Sequence, residues 1–148
     1  MSVSYDVFAG AFLSKITEYS FIKMPQGDAT VIVDGYMKKA VPQFAKVCKY
    51  DLSVFDDERR EFPVSIPEGE IDEIVDIVSE GMLVQWMKPY VYRQENLMNV
   101  LNTADFSTYS PAELLLRIST VYNQVKKDFT NKIREYSYAN GDLSDLHL

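Results

Sequence analysis

The stretch that most constrains this chain runs from Ser110 to Asn140 and has the pattern of one long amphipathic helix. Ser110, Pro111 and Glu113 together fit a capping box with proline at the first helical position. Asn140 and Gly141 are typical of a helix end, because both tolerate the left-handed backbone conformation. Apolar residues recur every three or four positions and predict one buried face: Leu114, Ile118, Val121, Val125, Phe129, Ile133 and Tyr136. A helix of this reach is roughly 40 Å long, so we expect it to organise the fold.

Three earlier segments also have helical periodicity, and a break separates each from the next. They cover residues 4–21, 29–47 and 68–88, and the pattern resumes after Pro89, where we expect a kink or a boundary. The predicted buried faces are Val7, Phe8, Ala11, Phe12, Ile16 and Tyr19; Val31, Ile32, Tyr36, Ala40, Phe44 and Val47; and Ile71, Ile74, Val75, Val78, Met82 and Trp86. The sequence therefore predicts an all-α bundle of four to five helices. Residues 50–66 are expected to form either a small β-hairpin or an ordered loop.

The length and the cysteine content limit the number of domains and the cellular compartment that we expect for this chain. With 148 residues the chain is long enough for one domain, which we place at residues 1–140, followed by a C-terminal tail at 141–148. The single cysteine, Cys48, excludes an intramolecular disulfide. The first ten residues lack the basic start of a signal peptide, and no apolar run is long enough to span a membrane. We therefore expect a soluble protein that is made in the cytoplasm and does not contact a membrane.

Acidic residues are concentrated in one part of the chain. Residues 51–80 hold 11 of the 22 acidic side chains and only two basic ones, although the whole chain has a net charge of -7. A surface of this sign disfavours binding to nucleic-acid phosphates. Two interpretations stay open: a solvated loop and helix start, or a wall that faces a DNA channel or a neighbouring subunit's basic surface. For the second interpretation the candidate residues are Asp56, Asp57 and Glu58.

Residues that could carry catalysis are scarce. His147 is the only histidine and lies next to the C-terminus, so a Ser/His or Cys/His pair is not expected. Glu70, Glu73 and Asp76 could line one side of a helix, as metal ligands or as acid/base groups do in some sites. Acidic residues are also typical of a solvated helix start. We therefore predict no catalytic residues, no metal site and no cofactor, and we expect that the protein is not an enzyme.

Several motifs in the second half of the chain resemble the head-tail connector, or adaptor, proteins of tailed bacteriophages. They are the acidic helix start and Ile71 to Trp86, the sequence Trp86 to Pro89, Gln94 to Leu97, Asp105 to Pro111, and Arg134 to Tyr138. The resemblance covers roughly residues 68–140. It implies a helical subunit of the virion neck that assembles with itself into a ring, commonly a dodecamer. Such a ring joins the portal protein to the next neck or tail protein, and DNA passes through its channel without specific binding.

The candidate partner-binding residues lie on the C-terminal helix and in the tail. Lys126, Lys127, Lys132 and Arg134 form a basic patch that is either a solvated face or a docking surface. We select for docking Lys126, Lys127, Arg134, Tyr136 and Tyr138 on the helix and Leu143, Leu146 and Leu148 in the tail. The alternatives are a small helical regulator that binds another protein and, less favoured by charge, a DNA-binding accessory protein.

Overall fold

The computed structural model describes residues 2–19, 22, 25–92 and 111–140, and this part of the chain is mostly helical. A short strand β1 (Val3–Ser4) precedes helix α1 (Tyr5–Ile16) and a 3₁₀ turn (Thr17–Tyr19). Helix α2 (Ala29–Ala45), strand β2 (Glu61–Phe62), helix α3 (Glu68–Tyr92) and helix α4 (Pro111–Asn140) follow. The predicted all-α bundle with a small β element is confirmed. The predicted continuation through Leu97, Val100 and Leu101 lies outside the described residues.

Helix α3, not the C-terminal helix, organises the fold. It packs against each of the other three helices, and its side chains are buried on nearly all sides from Ile74 to Met87. Our expectation that the C-terminal helix is the central element was therefore wrong. Of the two alternatives predicted at Pro89, a kink or a boundary, the boundary is wrong, because α3 continues to Tyr92. Pro89 lies in the last turn, so the one i→i−4 hydrogen bond that it removes, to the Gln85 carbonyl, is close to the end of the helix.

Helix α4 contributes one face to the core, as its apolar spacing predicted, but the members of that face differ. Ile118, Tyr122, Val125, Phe129 and Tyr136 are buried. The predicted core residues Val121 and Ile133 are only partly buried, and the side chain of Leu114 lies outside the described residues. The buried face of α4 therefore contains two tyrosines with polar ends that need partners.

Three helices meet at Gly81 of α3. A β-carbon at this position would lie 2.7 Å from the ring of Phe129 on α4 and 2.9 Å from the β-carbon of Ala40 on α2. Contacts this short are not tolerated between carbon atoms, so only glycine fits here. The close approach sets the distance between α3 and its two neighbours.

The β element differs from the predicted hairpin within residues 50–66. Strand β2 pairs with the N-terminal strand β1 in antiparallel register, with Val3 opposite Phe62. The ring of Phe62 packs edge-on against Tyr5 and Phe8 of α1, at centroid distances of 5.2 and 5.3 Å. The residues before β2 form a tight turn closed by a bridge between Asp56 and Glu61.

The helix starts follow the capping rules. The Ser4 hydroxyl accepts a hydrogen bond from the Asp6 backbone N–H (3.2 Å) and caps α1. Two residues of the predicted buried faces are exposed, Val7 on α1 and Val31 on α2. Tyr5 and Val33 are buried on those helices, so each helix is rotated slightly from the predicted face. No helix in the described ranges is both long and apolar enough to cross a membrane.

Candidate interaction surfaces

The side of α4 opposite its core residues forms a continuous exposed surface, which we call the outer α4 face. Its residues recur at helical spacing and point away from α3: Leu116, Thr120, Asn123, Lys127, Arg134 and Tyr138. Leu116 and Tyr138 are 69% and 59% exposed, which is high for large apolar side chains. From Leu116 to Tyr138 the face is about 33 Å long at 1.5 Å per residue. It offers exposed apolar groups, two cations, one amide and one hydroxyl-bearing threonine along one line.

Four of the predicted partner-binding residues lie on or beside this face. Lys127, Arg134 and Tyr138 belong to it, and Lys126 is exposed at its edge, with its ammonium 5.9 Å from the centre of the Tyr122 ring. Lys132, which the sequence grouped with them, is partly buried and turns toward α3. The basic patch is thus divided between an outward surface and an internal ion pair.

Tyr136 was predicted as a partner-binding residue, and the structure corrects this prediction. Its side chain is 2% exposed and stacks edge-on against Phe44 of α2, with ring centroids 4.9 Å apart. Its hydroxyl accepts a hydrogen bond from the Lys49 backbone N–H (3.1 Å) and lies 3.9 Å from the Cys48 sulfur. Burial raises the pKa of Tyr136 to about 12, and the pKa of Cys48 is raised mainly by burial. Tyr136 therefore fixes the end of α2 to α4.

A cluster of four charged side chains connects α1, α3 and α4. Lys15 of α1 donates hydrogen bonds to Asp76 (2.8 Å) and Glu80 (2.9 Å) of α3. Lys132 of α4 donates to the other carboxylate oxygen of Asp76. Burial alone would raise the pKa of Asp76, but the hydrogen bonds from Lys132 and Lys15 hold it below its ordinary value. Asp76 is thus a shared acceptor for two helices.

The three carboxylates that were considered as metal ligands, Glu70, Glu73 and Asp76, have different surroundings in the structure. Asp76 is bound to two lysines, and Glu70 accepts hydrogen bonds from Tyr50 and from Lys49. Glu73 is exposed. In the part of the chain that the structure describes, no three His, Cys, Asp or Glu side chains are grouped so that they could hold a metal ion. These carboxylates form separate contacts and no common site.

Arg60 fastens the turn at residues 56–61, which leads into β2, to the first two helices. Its guanidinium donates two hydrogen bonds to Asp34 of α2 and one to Asp6 of α1, all at 2.8 Å. These bonds, first to Asp34 and then to Asp6, raise the pKa of Arg60. Its carbonyl accepts a hydrogen bond from the Tyr5 N–H, and its backbone is left-handed, with φ of 54°. We call residues 56–61 the clamped turn.

The acidic residues predicted as an interface are all on the clamped turn, but they differ in availability. Asp56 accepts a hydrogen bond from the Arg59 N–H within the turn. Asp57 binds Lys38 at 2.7 Å and accepts a hydrogen bond from the Tyr5 hydroxyl. The bond from Lys38, followed by that from Tyr5, lowers the pKa of Asp57. Glu58 is exposed, so it is the member of the three most free to bind a partner.

Sequence reasoning missed Arg60, Asp34 and Lys15 as organising residues. Their partners lie 26 to 65 residues away along the chain, and no local pattern reports contacts of that separation. One signal was present: Asp34 interrupts an otherwise apolar segment of α2, and a carboxylate in such a place needs a cation. The predicted tail residues Leu143, Leu146 and Leu148 lie outside the described residues.

Comparison with known proteins gives no neighbour for this fold or for these surfaces. Neither a protein-family model nor a curated protein nor a solved structure matches the chain.

Proposed function

We propose that this chain is a structural subunit of the neck of a tailed bacteriophage. Copies of it form a ring, commonly a dodecamer in such connectors, that extends the DNA channel between the portal protein and the next neck or tail protein. In this proposal the protein acts in the virion after it is made in the host cytoplasm. DNA passes through the channel without specific binding.

The single observation that carries the proposal is the outer α4 face. It extends about 33 Å along the helix and combines exposed Leu116 and Tyr138 with Lys127 and Arg134. Large exposed apolar groups beside arginine are typical of surfaces that bind other proteins. The motifs that resemble head-tail connectors include Arg134 to Tyr138, so the resemblance and the exposed surface share the same end of α4.

Acidic surface beside the channel would serve the proposed function. Asp72 and Glu73 are exposed, and like charges deny a phosphate backbone a binding site. The same surface disfavours the alternative of a DNA-binding accessory protein. A small regulator that binds one protein partner would also use the outer α4 face, and ring formation separates it from the proposed connector.

The proposal is tested by binding to the portal protein encoded in the same genome. We expect the two purified proteins to elute together, with a mass that corresponds to many copies of this chain per portal ring. Replacing Leu116 by Ser and Lys127 by Glu should abolish this binding without changing the circular dichroism spectrum, because both side chains are exposed. The control variant Lys39→Glu changes an exposed lysine on α2 and should bind normally. A genome without a portal gene, or proteins that elute separately, would contradict the proposal.

A further inference from the structure

The clamped turn has a rigid base and an exposed tip. Its base is bound by α1 and α2 through Arg60, and its tip consists of Glu58 and Arg59, whose side chains are exposed. A charged group on a preorganised backbone loses less conformational freedom on binding than one on a flexible loop. The turn is therefore suited to present two adjacent, opposite charges to a partner.

The end of α4 carries the complementary arrangement. Arg134 and Glu135 are adjacent, opposite in charge and exposed. Four side chains are therefore exposed at the two sites: Glu58 and Arg59 at the tip, and Arg134 and Glu135 on the helix. Each of them lacks an ion pair with any other described residue. The order of charges is acid then base on the turn and base then acid on the helix. Arg134 and Glu135 point about 100° apart around the helix, so a turn that lies between them can bring Glu58 to Arg134 and Arg59 to Glu135.

We propose that copies of this chain bind one another head to tail, with the tip of the clamped turn of one copy on Arg134 and Glu135 of the next. The two sites are on different elements, because the turn is held by α1 and α2 whereas α4 packs on α3. A contact between different sites of identical chains is heterologous, and its repetition generates a ring when the rotation closes. Tyr138, which is 59% exposed and lies one helical turn beyond Arg134, adds apolar area beside the charges. The inference rests on the proposed function in taking the ring as the assembled form.

The test exchanges charges within each pair and thereby keeps the net charge of the chain. The turn variant is Glu58→Arg with Arg59→Glu, and the helix variant is Arg134→Glu with Glu135→Arg. Each variant alone turns two attractions into two repulsions, so we expect self-association to weaken by about tenfold or more at low salt. The chain with all four substitutions restores both pairs and should associate within about threefold of the unmodified chain. The control variant Lys39→Glu with Glu73→Lys changes exposed residues outside both sites and should associate normally.

Sedimentation velocity of the full-length chain over a concentration series measures these effects, and circular dichroism verifies that each variant is folded. Self-association that no exchange weakens, or that the fourfold variant fails to restore, overturns the proposed contact. So does a chain that stays monomeric up to about 1 mM. The proposed function fails separately: a chain that self-associates by these sites but does not bind the portal protein supports this contact and contradicts the neck assignment.

Discussion

At the scale of single residues, the buried polar groups of this protein work by joining elements that are distant in sequence. The Tyr136 hydroxyl accepts a hydrogen bond from the backbone N–H of Lys49, in the segment that follows α2, and the Tyr136 ring packs on Phe44. Such a tyrosine contributes through its ring and through its hydroxyl separately. The two contributions can be separated by substitution.

Replacing Tyr136 by Phe should destabilise the protein by about 1 to 1.5 kcal/mol. The ring contact with Phe44 remains, but the Lys49 N–H loses its acceptor in a partly buried place. Urea unfolding followed by circular dichroism measures the change. The matched variant Tyr138→Phe alters an exposed tyrosine on the same helix and should change stability by less than about 0.5 kcal/mol. Equal effects of the two substitutions would show that the Tyr136 hydroxyl has no structural role.

At the scale of elements, two different kinds of contact hold α3 between its neighbouring helices. Gly81 permits a close approach to α2 and α4, and Asp76 accepts hydrogen bonds from lysines of α1 and α4. The first kind of contact depends on shape and the second on charge. They therefore respond to different perturbations.

Replacing Gly81 by Ala should destabilise the protein by about 1 to 3 kcal/mol, because the added methyl group overlaps the Phe129 ring and Ala40. The result is informative because alanine is otherwise favoured over glycine in a helix by about 1 kcal/mol. The control is Gly35→Ala on α2, where an added β-carbon meets nothing within 4 Å, and it should be neutral or stabilising. Urea unfolding of both variants compares them. A stabilising Gly81→Ala substitution would contradict the described helix crossing.

The stability of the protein should fall in acid partly through Asp76. Its pKa is lower in the folded chain than in an unfolded one, so its ionised form stabilises the fold above its unfolded pKa of about 3.9. That stabilisation is lost as the pH falls below this value and through the lower folded pKa. Asp76→Asn should therefore be less stable than the unmodified chain at pH 7, and the difference should shrink toward pH 2. The exposed Asp72 provides the control variant Asp72→Asn, and a pH-independent difference for Asp76→Asn would refute the ion-pair account.

The helices could be predicted from the sequence because their signals are local. Asn140 ended the predicted C-terminal helix where α4 ends, and the segment predicted as helical from residue 4 begins at Tyr5, directly after the Ser4 cap. The prediction placed Val31 on the buried face of α2, but Val33 is the buried valine. Val33 lies three residues before Tyr36 and seven before Ala40, so helical spacing itself favours it, and the prediction followed the wrong stripe at the start of this helix. The central position of α3 and the fastening of the clamped turn by Arg60 depend on contacts between distant segments, which periodicity does not report.

At the scale of the whole molecule, the charged side chains fall into two groups: those that form ion pairs between elements and those that are exposed on the outside. Lys15, Lys132, Asp76 and Arg60 form ion pairs that hold the bundle together. Lys127, Arg134, Glu58 and Glu73 are exposed on its outside. The outer residues are therefore the ones available for assembly, and the account depends on whether the protein assembles.

Electron microscopy of the full-length chain mixed with the portal protein of the same genome would show directly whether the protein assembles into a ring on the portal. The account predicts closed rings of identical subunits, coaxial with the portal and attached to one of its ends. Each subunit in such an image should show the bundle of α1 to α4 with the outer α4 face in contact with a neighbouring protein. Single copies that leave the portal unoccupied, or assemblies in which the outer α4 face stays exposed to solvent, would contradict the account.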